Sequence, residues 1–145
     1  MLSVFLGGTC GNSTWRNELI QMFNEKVSYF NPVVKNWTEE CQQIEDEHKK
    51  NDDIFLFVIT PETDNNYSIS EVTELAILRP ESMILCVLDK VNNEEFTKHE
   101  KKAWNKIISH LKQQHRACVC STLKDVAKEI NRRAEKKQEI EEGLC

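Results

Sequence analysis

Two short stretches hold side chains whose types and spacing suit chemistry on a small molecule. The first, GGTCGNSTWR, sets Gly7, Gly8 and Gly11 beside the hydroxyls of Thr9, Ser13 and Thr14. Glycines allow close backbone approach, and amides near a helix start can receive a phosphate or a sugar hydroxyl. The same residues also make an ordinary tight strand-to-helix turn. The stretch has no Gly-Lys-Ser/Thr, and its glycines do not fall as G-x-G-x-x-G, so it is neither a nucleoside-triphosphate P-loop nor a dinucleotide fingerprint. Arg16 follows one turn into the helix, where it either meets an anionic group such as a 5′-phosphate or stays a solvated surface arginine.

The second stretch, TPETDNNYSISEVTELA, carries Asp64, Tyr67, Ser68, Ser70 and Glu71. Ser68 and Glu71 have the spacing of a Ser-x-x-Glu capping box, with Ser68 as the N-cap, which is a structural use. A carboxylate in the first turn of a helix is also placed to touch a ligand, and the positive helix end keeps it ionised. An ionised carboxylate can act as a nucleophile or stabilise an oxocarbenium ion. Spacing leaves both uses open. Glu39, Glu40, Glu45, Asp46 and Glu47 read as one wet helix face, and Asp53 lies at the sheet end opposite the crevice. His48, His99, His110 and His115 fall in predicted helices with no nucleophile placed near them. Cys10 is a minor candidate.

The elements that position these residues follow from the apolar runs. Leu2 with Val4–Leu6, then VSYF (27–30), IFLFVI (54–59), MILCVL (83–88) and ACVC (117–120) are short and mostly continuous, the pattern of strands covered on both faces. Between them, Trp15, Leu19, Ile20 and Phe23 share one helical face. Phe96, Ala103, Trp104, Ile107, Ile108 and Leu111 share a second, and Leu123, Val126, Ala127 and Ile130 a third. Ser13 or Thr14, Thr38, Ser68 and Thr122 stand as helix starts. Alternating strands and helices with right-handed crossovers predict an α/β, flavodoxin-like or Rossmann-like three-layer sandwich. Its five-stranded parallel sheet is expected in the order 2-1-3-4-5, with the ligand crevice beyond the strand C-termini near strands 1 and 3. The loops GGTCGNSTWR, NPVVKNWTEE, TPETDNNYSISE and DKVNNEE then face one crevice. The chain reads as one domain over 1–145, with about 132–145 a helical tail that frays.

Charge and composition narrow the function further. The 145 residues carry a net charge of -5 and no basic stripe, so nucleic-acid polymers and anionic membranes are not expected partners. No apolar run approaches the roughly 20 residues needed to span a bilayer, and a cytoplasmic protein is expected. The scattered cysteines Cys10, Cys41, Cys86, Cys118, Cys120 and Cys145 read as reduced thiols. Cys118 and Cys120 are expected to point to opposite faces of a strand and so to chelate poorly; no metal and no cofactor is expected.

FLGGTCGNSTWRNELI, YFNPVVKNWTEE and DDIFLFVITPE followed by YSISEVTELA, in that order and spacing, resemble the nucleoside 2-deoxyribosyltransferase-like family over roughly residues 2 to 90. The resemblance implies cleavage or transfer of the N-glycosidic bond of a 2′-deoxynucleoside or nucleotide. Glu71 would match the glutamate that attacks C1′ and forms a glycosyl ester, resolved by a second base or by water. Asp64 resembles an acidic residue that contacts the nucleobase, although D-N-N-Y-S departs from the usual D-S-G-T. Gly7, Gly8 and Thr9 would line the floor, Ser68 or Ser70 would sit near the sugar, Tyr67 could assist the leaving base, and Trp37 or Trp15 would either stack on it or belong to the core. Transferases of this group complete one another's sites across subunits, so a homo-oligomer is a further expectation. Two other classes compete: a non-catalytic nucleotide-binding module, and an FMN carrier suggested by T-C-G-N-S.

Overall fold

An apolar run becomes the central strand. In chain order the strands are β1 (Leu2–Gly8), β2 (Val27–Phe30), β3 (Ile54–Ile59), β4 (Met83–Val87), a hairpin of β5 (Lys90–Val91) and β6 (Glu94–Glu95), and β7 (Cys118–Cys120). The computed structural model describes residues 1–114 and 116–143. His115, expected in a helix, and Cys145, expected as a reduced thiol, lie outside the described residues. The main sheet is parallel in the order β2-β1-β3-β4-β7, which is the expected order once the hairpin is set aside. β3 is buried at all six positions because helices cover both its faces.

The helices are α1 (Trp15–Ile20), α2 (Glu39–Asn51), α3 (Asn66–Leu78), α4 (Lys98–Gln113) and α5 (Leu123–Glu141). Leu56 and Val58 of β3 point with Leu6 of β1 to one side, where they meet Trp15 and Leu19 of α1 and Val126 and Ile130 of α5. Phe55, Phe57 and Ile59 point to the other side, with Phe5, against Val72 and Ala76 of α3 and Trp104 and Leu111 of α4. The period of two along each strand thus builds two separate cores. α2 has no fully buried residue. Its inner side instead lays His48 flat on Phe30, with ring centroids 3.9 Å apart, and Lys49 over Phe5 at 5.8 Å.

Several local expectations change. Thr38 and Thr122 cap their helices through the amides of Cys41 and Asp125 as expected. Ser68 does not: α3 begins at Asn66, three residues earlier than such a cap would start it, so Ser68 lies inside the helix and no capping box forms with Glu71. DKVNNEE folds into the β5–β6 hairpin, because Asn92 (φ 51°) and Asn93 (φ 69°) both tolerate the left-handed conformation that a two-residue turn needs. α5 runs on through residues 132–141. α5 stays docked through Ala134, which is buried, and through Lys137, whose Nζ donates to the Met1 carbonyl (2.8 Å) and to Asp53 Oδ2 (2.9 Å). Cys118 and Cys120 share one face rather than opposite ones, since a two-residue step along a strand returns to the same side; both pack into the α1/α5 core. No helix among the described residues is long and apolar enough to cross a membrane.

Candidate active site

At the C-terminal ends of β1 and β3 a cleft of about 320 Å³ opens, lined by Gly7, Gly8, Thr9, Cys10 and Arg16 from the first loop and by residues 63–68 and Glu71 from the third. Phe5, Pro32 and Glu45 complete it. The loop after β2 contributes only Pro32, and the hairpin after β4 contributes nothing to the described lining.

The floor requires its glycines. Gly8 has φ 111°, and a Cβ there would stand 2.1 Å from the Val58 carbonyl oxygen. A Cβ on Gly7 would meet the Phe57 ring at 2.6 Å. The two loops are then bolted together by buried polar groups. Thr9 Oγ1 donates to Asn65 Oδ1 (2.6 Å) and accepts from the Thr60 amide (2.8 Å). Asn65 Nδ2 donates in turn to the carbonyls of Thr60 (2.8 Å) and Thr63 (3.0 Å). Asn65 has φ 59°, a conformation that Asn adopts more readily than most residues, and it is this kink that starts α3 early. Asp64 assists by accepting the Asn66 amide on Oδ1 (3.1 Å). α3 thus starts without a side-chain N-cap bond, and of its first amides Asp64 takes only that of Asn66.

Arg16 is neither solvated nor free for an anion. It is 5% exposed, and it donates from Nε to the Leu6 carbonyl (3.0 Å), from Nη1 to that of Thr9 (2.7 Å) and from Nη2 to that of Gly8 (3.4 Å). Trp15 Nε1 donates to the same Thr9 carbonyl (2.8 Å), and the guanidinium lies 4.3 Å from the Trp15 ring. The turn of β1 into α1 bares three carbonyls, and Arg16 donates to all of them, sharing that of Thr9 with Trp15 and that of Gly8 with the Cys10 thiol. Burial lowers its pKa, with the Cys10 thiol opposing that shift.

Glu71 reaches the cleft from the second turn of α3. The helix-end field weakens beyond the first turn, so the counter-charge comes from elsewhere: Lys49 Nζ of α2 lies 3.0 Å from Glu71 Oε2 and 3.1 Å from Glu45 Oε1. The Glu71 side chain is 17% exposed. Burial raises its pKa above the ordinary glutamate value; Lys49 opposes the rise, while Glu45 and Glu74 add to it. Burial works against the Lys49 ammonium, but its bonds to Glu71 and Glu45 prevail and its pKa is raised. Sequence reasoning missed Lys49 and gave Glu45 to a wet face. The signal available was their i,i+4 spacing, which puts both on one side of α2.

The remaining expectations divide. Tyr67 stands at the mouth, 71% exposed, with Lys49 5.7 Å from its ring. Ser68 is buried in the lining, whereas Ser70 is outside it and donates to the Tyr67 carbonyl (2.7 Å). Trp37 is 62% exposed and does not line the cleft, and Trp15 is buried in the core, the alternative to stacking that its position left open. His48, His99 and His110 lie in α2 and α4, outside the cleft.

With this geometry in place, comparison with known proteins finds one family, described as nucleoside 2-deoxyribosyltransferase like, matching residues 1–91. Every residue lining the cleft falls within that span. No curated protein matches the chain.

Proposed function

Because the chain belongs to the nucleoside 2-deoxyribosyltransferase-like family, we propose that it breaks or exchanges the N-glycosidic bond of a 2′-deoxynucleoside through a covalent ester on Glu71. The observation that carries the reading is the Glu71 carboxylate itself, partly desolvated in the cleft and paired with Lys49 rather than spent as a helix cap.

In the first step a Glu71 oxygen bonds to C1′ while the C1′–N bond breaks, and its electron pair leaves with the base, whose nitrogen takes a proton from water, from the Tyr67 hydroxyl or from a protonated Asp64. A negative charge beside C1′ stabilises the oxocarbenium-like transition state. Asp64 is the nearest counterpart for the base: Oδ1 is held by the Asn66 amide, and Oδ2 has no protein partner among the described residues. In the second step water, or the nitrogen of another base, attacks C1′ and releases the Glu71 carboxylate. Lys49 opposes the rise that burial gives the Glu71 pKa and must release the carboxylate to the sugar.

The charge in the cleft favours a nucleoside over its 5′-monophosphate. Among the lining residues Glu45, Asp64 and Glu71 are acidic and Arg16 is committed to backbone carbonyls, while Lys49, behind the lining, is shared by two carboxylates. The 5′-phosphate role suggested for Arg16 by its sequence position is therefore withdrawn.

Chromatography of free base from a panel of deoxynucleosides and their 5′-monophosphates, with and without an acceptor base, tests the reading. Wild type should release base from deoxynucleosides, and Glu71→Gln should lose about 10³-fold or more of that rate, as removal of a covalent nucleophile does. A peptide carrying Glu71 should gain the mass of the deoxyribosyl group during turnover. Equal rates in wild type and Glu71→Gln would refute the assignment.

A further inference from the structure

The ACVC segment, which the cleft does not use, brings three sulfurs together. Cys118 and Cys120 lie two apart on the sheet-edge strand β7 and face the same core layer, and Cys86 of β4 is the parallel partner of Cys120. Cys120 and Cys86 are buried, at 9% and 0% exposure, whereas Cys118 is half-buried and so reachable by a small solute. Cys118 and Cys120 stand on the same face of β7 with one residue between them, and both pack against the α1/α5 core; Arg133 of α5 lies close enough for its charge to act on Cys118. That guanidinium is anchored by Glu129 Oε1 (2.8 Å) and the Glu81 carbonyl (3.2 Å), which fixes its position on α5.

We propose that Cys118 and Cys120 form a reversible thiol–disulfide pair that hydroperoxides oxidise, with Cys118 as the attacking and Cys120 as the resolving sulfur. Cys118 thiolate attacks one oxygen of the hydroperoxide; the O–O bond breaks, the alcohol or water leaves with a proton, and Cys118 becomes a sulfenic acid. Cys120 sulfur then attacks Cys118 sulfur, the S–O bond breaks, and water leaves with the Cys120 proton. Two thiols lose two electrons and the O–O bond gains them.

The surroundings order the pair in this sense. The contact with Cys120 lowers the Cys118 pKa to about 6; Arg133 adds to that effect, and burial and Glu129 oppose it. The same contact pushes Cys120 up, and burial beside Asp125 pushes Cys86 up to about 12, which leaves Cys86 inert. Arg132 is the other charged group that Cys118 feels. At about 3.3 Å of rise per residue the two Cα atoms stand roughly 6.6 Å apart, close to the upper limit of about 6.8 Å that a disulfide bridges. Closure must shorten β7, so the bond is strained and easily reduced.

The test uses the full chain and stays apart from the glycosidic reading, because no cleft residue takes part. Reduced protein is treated with stoichiometric hydrogen peroxide, quenched with N-ethylmaleimide and digested with trypsin, which isolates ACVCSTLK between Arg116 and Lys124 with no other cysteine. The expected product is that peptide lighter by two hydrogens and unalkylated, restored by dithiothreitol. Cys120→Ser should instead accumulate a dimedone-trapped sulfenic acid at Cys118, and Arg133→Met should slow oxidation about tenfold at pH 7. The proposal is overturned if Cys10 or Cys41 oxidises while ACVCSTLK stays doubly alkylated. It is equally overturned if Cys118→Ser leaves peroxide consumption by this peptide unchanged, or if wild type stops at singly oxidised Cys118 with Cys120 alkylated.

Discussion

Replacing Asn65 probes whether a single side chain holds the candidate site together. Asn65 accepts the Thr9 hydroxyl (2.6 Å), donates to the Thr60 carbonyl (2.8 Å), and holds φ 59°. Truncation strips two buried partners, each worth about 1 kcal/mol as a hydrogen bond and up to about 3 kcal/mol when left unsatisfied, so Asn65→Gly should cost about 3 kcal/mol. Alanine adds a Cβ in the left-handed region at about 1 kcal/mol further, so Asn65→Ala should cost about 4 kcal/mol. That is a large share of the roughly 5–15 kcal/mol that stabilises a domain. Urea unfolding followed by circular dichroism reads both values through the shift in midpoint. The floor of the cleft hangs on the same bonds, so base release should fall in both variants even where they are folded. The reasoning is refuted if Asn65→Gly unfolds at the wild-type midpoint, or if the alanine and glycine variants coincide.

Four further outcomes are expected. Lys49→Met should move the acid limb of the kcat/KM profile to higher pH, because Glu71, already raised by burial, loses the cation that opposes the rise; an unmoved limb in the base-release assay would detach Lys49 from Glu71. Gly8→Ala, with its Cβ 2.1 Å from the Val58 carbonyl oxygen at φ 111°, should cost more than about 3 kcal/mol, seen as a fall in Tm or loss of soluble protein. Arg16→Met should destabilise by about 1–3 kcal/mol by baring the Leu6 carbonyl and leaving that of Thr9 to Trp15 alone, while leaving the preference between a nucleoside and its monophosphate unchanged in the panel assay. Burial raises the Asp53 pKa, but the Ser3 amide and Lys137 outweigh it and hold the carboxyl below the usual range. Its contribution is therefore present above the unfolded value of about 3.9 and lost as pH falls through the folded one. Asp53→Asn should lower the urea midpoint at pH 7 and match wild type near pH 2.

Much of this protein was legible in one dimension. Continuous apolar runs such as IFLFVI can only be strands covered on both faces, and strands alternating with helical spacings leave little choice but a parallel sheet with the observed order. The strand-to-loop grammar also brought Gly7, Gly8, Thr9 and Glu71 to one crevice, since loops after parallel strands share an end of the sheet. The tertiary structure decided the pairings. Whether Arg16 greets a phosphate or satisfies backbone carbonyls depends on where the β1–α1 turn points its oxygens. Whether Glu71 caps a helix depends on a left-handed Asn65 that starts α3 three residues early. Lys49 is 22 positions from Glu71 in the chain, and only the packing of α2 on α3 makes it the counter-ion. Burial patterns repeat along the chain and can be read from it, whereas a hydrogen bond between distant segments exists only once both have been placed within about 3 Å of each other.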